Sequence, residues 1–160
     1  MLQLTVLEFT IRTIPEALVY IFAAYVFSNK KLDVNKYLIS SFLLAIGTFL
    51  VRMLPINYGV HTILAIIIQI VILIFINKIE IISAIKSSIT TTICLFVIEL
   101  LNLLALNFIF KEQLQAIMSN PPLKIIYGLP SLIGFIFIVL SYYYFKKKGK
   151  NKNAKNRIYK

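Results

Sequence analysis

Five long apolar stretches, separated by short polar breaks, run along this 160-residue sequence. They extend from about Phe9 to Phe27, Tyr37 to Leu54, Gly59 to Ile76, Ala84 to Phe110 and Leu123 to Phe145. A hydrocarbon core about 30 Å thick takes roughly 20 apolar residues of helix, so each stretch meets or nearly meets the length of a membrane span. The breaks are plain. Ser28 to Lys36 is polar and charged, and Pro55 to Gly59 carries proline and glycine where a tight turn needs them. Asn77 to Glu80 is a short hinge, and Lys111 to Pro122 is the longest internal loop. Within that loop Leu114, Ile117 and Met118 recur at helical spacing while Lys111, Glu112 and Gln115 are polar. That pattern predicts a short surface helix from Lys111 to Ser119, stopped by Pro121 and Pro122. No soluble domain and no internal repeat interrupts the pattern.

Composition agrees. Hydrophobic residues make up 59% and charged residues 14%, with a mean hydropathy of +0.86. Soluble domains run at about 45–50% apolar and about 25% charged. A chain this short buries only about two-thirds of its surface on folding, too little to hide so much apolar area from water. The expected class is an all-α integral membrane protein, a bundle of five transmembrane helices over residues 1–145 followed by a basic tail, 146–160. Abundant isoleucine, lysine far above arginine and absent tryptophan suggest a bacterial source and hence the cytoplasmic membrane. Cys94 is the single cysteine, so neither an intrachain disulfide nor a cysteine-based metal site is available. The first residues lack a positive n-region and a small-residue cleavage site, so the first helix is expected to be retained.

Lysine and arginine in short loops set orientation. With the C-terminus in the cytoplasm, the inner segments hold Lys30, Lys31, Lys36, Lys78, Lys86 and eight basic residues after Phe145. The outer segments hold Lys111, Lys124 and, at the N-terminal boundary, Arg12, so the ratio is thirteen to three. Five spans then leave the N-terminus outside. The tail contains no acid and suits anionic lipid, at about 1 kcal/mol per basic residue near the surface. It has no folded module or aromatic platform of the kind nucleic-acid binding uses. Tyr142, Tyr143 and Tyr144 before it read as an interfacial belt.

Ionisable groups inside a bilayer cost several kcal/mol and need a physical reason. Glu16, Arg52, His61 and Glu99 are four of these. At about 1.5 Å of rise per residue, Glu16 lies about 18 Å from the inner boundary at Ser28 and Glu99 about 20 Å beyond Lys86. Arg52 and His61 flank the outer turn. All four therefore fall in the outer half, on four different helices. Asn102 shares the Glu99 face, and Pro130 deprives the Ile126 carbonyl of its helical donor at a similar depth, with Gly128 and Gly134 permitting close helix approach. The sequence thus predicts that Glu16, Arg52, Glu99 and Asn102 approach one another, and that His61, Arg52, Glu99 and Pro130 line a cavity open to the outside. Structural readings stand beside these. Arg52 can snorkel to headgroups, Glu16 can occupy the first turn of a helix starting at Pro15, and His61 can be interfacial. Glu99 can be a protonated core residue or pair structurally with Arg52. Gln69 and Asn107 are expected to make helix–helix hydrogen bonds.

Catalytic signatures are missing: no HExxH, no GxSxG, no glycine-rich phosphate loop and no Cys/His cluster. One histidine cannot build a multi-histidine metal site. No enzyme activity, metal or cofactor is expected.

Ile14 to Ala17, Arg52 to Ile63, Ser119 to Pro122 and Tyr127 to Ser131 carry a resemblance. Through them the chain resembles the membrane input domains of peptide-sensing, GHKL-type sensor histidine kinases, the group that includes accessory-gene-regulator receptors, over nearly its whole length to Phe145. Those kinases continue into a phosphoacceptor helix and an ATP-binding domain, whereas this sequence runs into a basic tail. His61 would sit at the outer face, so no kinase activity is carried over. What the resemblance implies is a receptor-like regulatory module that senses an extracellular ligand such as a peptide and engages a cytoplasmic or membrane partner. Two alternatives remain open: a small transport component binding a solute or cation at Glu16, Glu99 and Asn102, and an assembly subunit of a larger membrane complex.

Overall fold

The computed structural model describes residues 9–56, 58–111 and 119–158, and every element within them is a helix. The helices are α1 (Phe9–Ser28), α2 (Val34–Met53), α3 (Tyr58–Phe75), α4 (Ile81–Ile109) and α5 (Pro121–Ile158). Four are long and apolar enough to cross a membrane, while α3, apolar from Gly59 to Phe75, is shorter. Its 18 residues rise about 27 Å, just under the thickness of a hydrocarbon core. The helix expected within 111–119 lies outside the described residues.

Each boundary has a local cause. The α1 helix stops where Asn29 turns left-handed (φ 59°), a conformation asparagine tolerates better than most residues. The Asp33 carboxylate accepts the Lys36 amide and opens α2. Pro55 holds Leu54 extended (ψ 142°), which ends α2 at Met53. The end of α3 uses a Schellman-type bond, with Ile79 N–H donating to the Leu73 carbonyl at 3.0 Å. Lys78 takes the left-handed position there, with φ 52°. The α5 helix runs past the apolar stretch, which ends at Phe145, to Ile158. No proline interrupts residues 146–158, and lysine, alanine and arginine are good helix formers. Charge takes the helix out of the apolar zone without ending it.

The most buried of the four long helices is α1, and it forms the centre of the bundle. Ala17, Ile21, Ala24 and Tyr25 pack against Leu44 and Ala45 of α2, Ile72 and Leu73 of α3, and Ala84 of α4. Its other side, Ala23 and Val26, meets Leu95 and Ile98 of α4 and Phe135 and Val139 of α5. Small residues let the backbones come close, as helix packing in lipid requires. At Gly47 an added Cβ would stand 3.0 Å from Ile68 Cγ2, and at Gly134 3.2 Å from Ile98 Cγ2.

The outward faces are apolar. Met53, Phe75, Phe96, Leu100, Phe108 and Phe137 are exposed, whereas Ser40, Ser41, Gln69, Asn77, Ser87, Ser88 and Thr91 are buried. This inverts the distribution of a water-soluble domain and marks a multi-pass helical membrane protein.

One end of the bundle is basic. Lys30, after α1, donates to the Lys78 carbonyl, after α3, at 2.8 Å. Lys146 of α5 donates to the Val26 carbonyl near the end of α1 at 2.6 Å, a favourable place for a cation beside a helix C-terminus. The loops after α1 and α3 therefore share an end, and α3 traverses the bundle.

Candidate functional site

Pro15 organises the opposite end. It has no N–H, and its ring crowds the carbonyl four residues back, at Ile11. The backbone accommodates this with a π turn over Phe9–Thr13 ahead of the regular helix from Ile14. Such turns recur where a helix must re-aim a side chain at a functional position. Arg12 lies in that turn.

The Arg12 guanidinium reaches across to α4. Its Nη2 donates to Glu99 Oε1 at 2.6 Å, and its Nε lies 3.8 Å from Glu16 Oε2, one turn along α1. The side chains are 17% (Arg12), 14% (Glu16) and 32% (Glu99) exposed, so Glu99 is the most accessible of the three. The third side comes from α5. A Cβ on Gly128 would stand 3.0 Å from Arg12 Nη1, so glycine leaves the space the guanidinium fills. One residue before it, the Tyr127 carbonyl accepts Asn102 Nδ2 at 2.9 Å. Ser131 Oγ donates to the Gly128 carbonyl at 2.7 Å, so side chains satisfy backbone groups around Pro130. Tyr20 closes the cluster below. Its hydroxyl bonds Thr92 Oγ1 at 3.3 Å.

The sequence-predicted residues divide accordingly. Glu16 and Glu99 meet through Arg12, and Asn102 joins them through the α5 backbone beside Gly128. The expected Glu99–Arg52 pair is corrected: the partner of Glu99 is Arg12, because Pro15 and the π turn bring that residue into the bundle. Arg52 is half-buried and ion-pairs with no described residue. His61 is half-buried in the first turn of α3, and Pro130 is exposed. The buried face of α5 at this level is Ile125, Ser131 and Leu132, so the proline ring faces away from the cluster. Gln69 is fully buried but its amide bonds no described group, and Asn107 is exposed. Neither makes the expected helix–helix hydrogen bond among the described residues. Glu16 does occupy the first turn of the regular helix, with proline beside it.

Arg12 was legible only as a boundary cation, although its i, i+4 spacing to Glu16 across a proline was a usable signal. A second polar group escaped the sequence altogether. Tyr25 donates to Asn77 Oδ1 at 2.6 Å and Asn77 Nδ2 donates to Ser40 Oγ at 2.8 Å, all three buried. This chain ties α1, α2 and the α3–α4 turn together near the basic end.

The two best-formed cavities among the described residues lie away from the ionic cluster. One, of about 500 Å³, opens at the basic end between the Ser28–Lys30 and Lys78–Ser83 segments. The other, of about 160 Å³, is an apolar groove between α1, α5 and Tyr37 of α2. No group of three or more His, Cys, Asp or Glu among the described residues could hold a metal ion.

No family model, curated protein or solved structure matches the chain.

Proposed function

We propose that this chain is a non-catalytic, receptor-like module of the bacterial cytoplasmic membrane. It crosses five times, with its N-terminus outside and its C-terminus in the cytoplasm, and senses an extracellular ligand such as a short peptide. One observation carries the reading. A guanidinium is shared by two carboxylates at the end of the bundle away from the basic loops. Buried charge in a membrane helix marks function by default. A ligand carboxylate could replace Glu99 on Arg12 without creating an unpaired cation, and planar guanidinium groups bind carboxylates in two-point fashion. The resemblance of Arg52 to Ile63 to peptide-receptor input domains points the same way. The loops and α5 extension at the basic end would engage the inner leaflet and a partner protein.

The test uses the purified chain in lipid nanodiscs and short peptides with free or amidated C-termini. Saturable binding that requires the free carboxylate and weakens in Arg12→Lys, at normal protein abundance, supports the reading. Equal binding of amidated peptides, or none of either, contradicts it. Two carboxylates on one guanidinium favour a second reading, transport of a cation. That reading requires solute accumulation in proteoliposomes, which a receptor would not produce.

A further inference from the structure

We infer that Gln69 and Ser88 hold a bound water molecule inside the bundle, which makes the hydrogen bond between α3 and α4 that the two side chains do not make directly. The site is separate from the ionic cluster, and the inference does not depend on the function proposed for that cluster.

Both side chains are fully buried, and no described residue bonds the Gln69 amide oxygen, its nitrogen or the Ser88 hydroxyl. Polar groups taken out of water without a partner are costly, and most find one in protein or in ordered water. Ser88 differs from its neighbours in this respect. The Ser87, Thr91 and Thr92 hydroxyls each donate to a carbonyl one turn back, at 3.1, 2.7 and 2.9 Å, the usual way a helix satisfies such a group. Of these four buried hydroxyls, that of Ser88 alone is not spent on its own helix.

The two residues share a level and a direction. Gln69 is eight residues before Asn77 and Ser88 eight after Glu80, on the two arms of the α3–α4 hairpin. Each therefore lies about 12 Å from the turn. At 3.6 residues per turn, Gln69 lies opposite the exposed Ile67 and Val71, and Ser88 opposite the exposed Ile93 and Val97. Both thus point to the bundle centre. One turn nearer the hairpin, Leu73 and Ala84 on these same faces belong to one buried cluster, to which α1 contributes Ala17, Ile21 and Ala24 with no polar group.

The chemistry of the pair selects the occupant. The amide offers two donors and an acceptor, and the hydroxyl both donates and accepts. A cation would satisfy the oxygens alone and an anion the hydrogens alone, whereas water does both. Facing polar groups too far apart for a direct bond are where a bridging water belongs, and a buried water typically makes about three such bonds. Water here supplies the helix–helix link expected of Gln69 and fastens α3, the shortest helix of the bundle, to α4.

The experiment takes the full chain in lipid nanodiscs with isotope-labelled glutamine side chains and measures magnetisation transfer from water protons to the Gln69 amide by NMR; Gln69→Leu assigns the signal. Transfer is expected at this buried amide. It should fall several-fold in Ser88→Ala and stay unchanged in Thr90→Ala, which removes an exposed hydroxyl from the other face of α4. Unfolding in mixed micelles gives a second readout. With water between them, Gln69→Leu and Ser88→Ala each lower the unfolding midpoint, and the double variant loses less than the sum. Without it, each substitution removes an unpaired buried group and raises the midpoint. Three results overturn the site: no transfer at Gln69, equal transfer in the parent and Ser88→Ala, or two single variants both more stable than the parent.

Discussion

Arg12 is one cation between two carboxylates, so its neighbours are not equivalent and their substitutions should not be either. Glu99→Gln leaves Arg12 with Glu16 at 3.8 Å, and charge stays balanced. Arg12→Gln leaves the Glu99 carboxylate without the cation it is paired with. Two unit charges about 4 Å apart interact by about 4 kcal/mol at an effective dielectric constant of 20. Removing one partner of a buried pair costs about 3–5 kcal/mol, mostly because the other charge is stranded. Glu99 is about one-third exposed, so the lower part of that range applies. Arg12→Gln should therefore destabilise by about 3 kcal/mol and Glu99→Gln by about 1–2 kcal/mol. Adding Glu99→Gln to Arg12→Gln should recover about 1 kcal/mol, since one stranded charge is removed. Unfolding in mixed micelles of rising dodecyl sulfate fraction, followed by circular dichroism, measures all three variants. The reasoning fails if Arg12→Gln is no worse than Glu99→Gln, if the double variant shows no recovery, or if Arg52→Gln costs as much as Arg12→Gln.

Smaller effects follow from neighbouring contacts. Asn102→Ala removes the donor to the Tyr127 carbonyl and should cost about 1 kcal/mol in the same unfolding assay, within the range for interhelical bonds in lipid. Tyr25→Phe strands the Asn77 amide oxygen in a buried site and should cost about 1–3 kcal/mol; Asn77→Leu added to it should cost little more. Hydrogen exchange should locate the loosening in both cases, at the α4–α5 contact for Asn102 and at the α3–α4 turn for Tyr25. Asp33 provides a pH test: the Lys36 amide, with its ammonium alongside, holds this carboxyl below its ordinary range. Its folded value is below its unfolded one, so the α2 cap contributes fully above an unfolded value of about 4 and is lost as pH falls through the folded value. Asp33→Asn keeps a cap acceptor and should remove that acid-side dependence from a pH series of melting curves.

Helix number and approximate limits were legible in the sequence because lipid imposes one simple demand, an apolar run of sufficient length. The ends were less legible. Pattern alone does not say that Asp33 caps α2 four residues before Tyr37, or that α5 continues as a helix after the apolar residues stop. Matched depth placed Glu16, Glu99 and Asn102 near one level: the two carboxylates meet at Arg12, and Asn102 bonds the Tyr127 carbonyl next to Gly128, which the guanidinium packs against. Choosing between Arg12 and Arg52 needed the rotation of α1, which Pro15 and its π turn decide. Depth follows from counting residues, whereas facing depends on where the helix is irregular. Pro130 illustrates the same limit. The count located it correctly along α5, but its ring faces outward. The Tyr25–Asn77–Ser40 chain was illegible because a tyrosine in a span, an asparagine in a turn and a serine in a helix each have common separate explanations.

Cysteine accessibility tests the five-span arrangement, on which the outside position of the ionic cluster rests. Single cysteines at Asn29, Asn57 and Asn151, in a Cys94→Ser background, are exposed in intact cells to a membrane-impermeant thiol reagent. Labelling of position 57 from outside, with positions 29 and 151 reactive only after permeabilisation, is the result five spans predict. Labelling of positions 57 and 151 from the same side would contradict it.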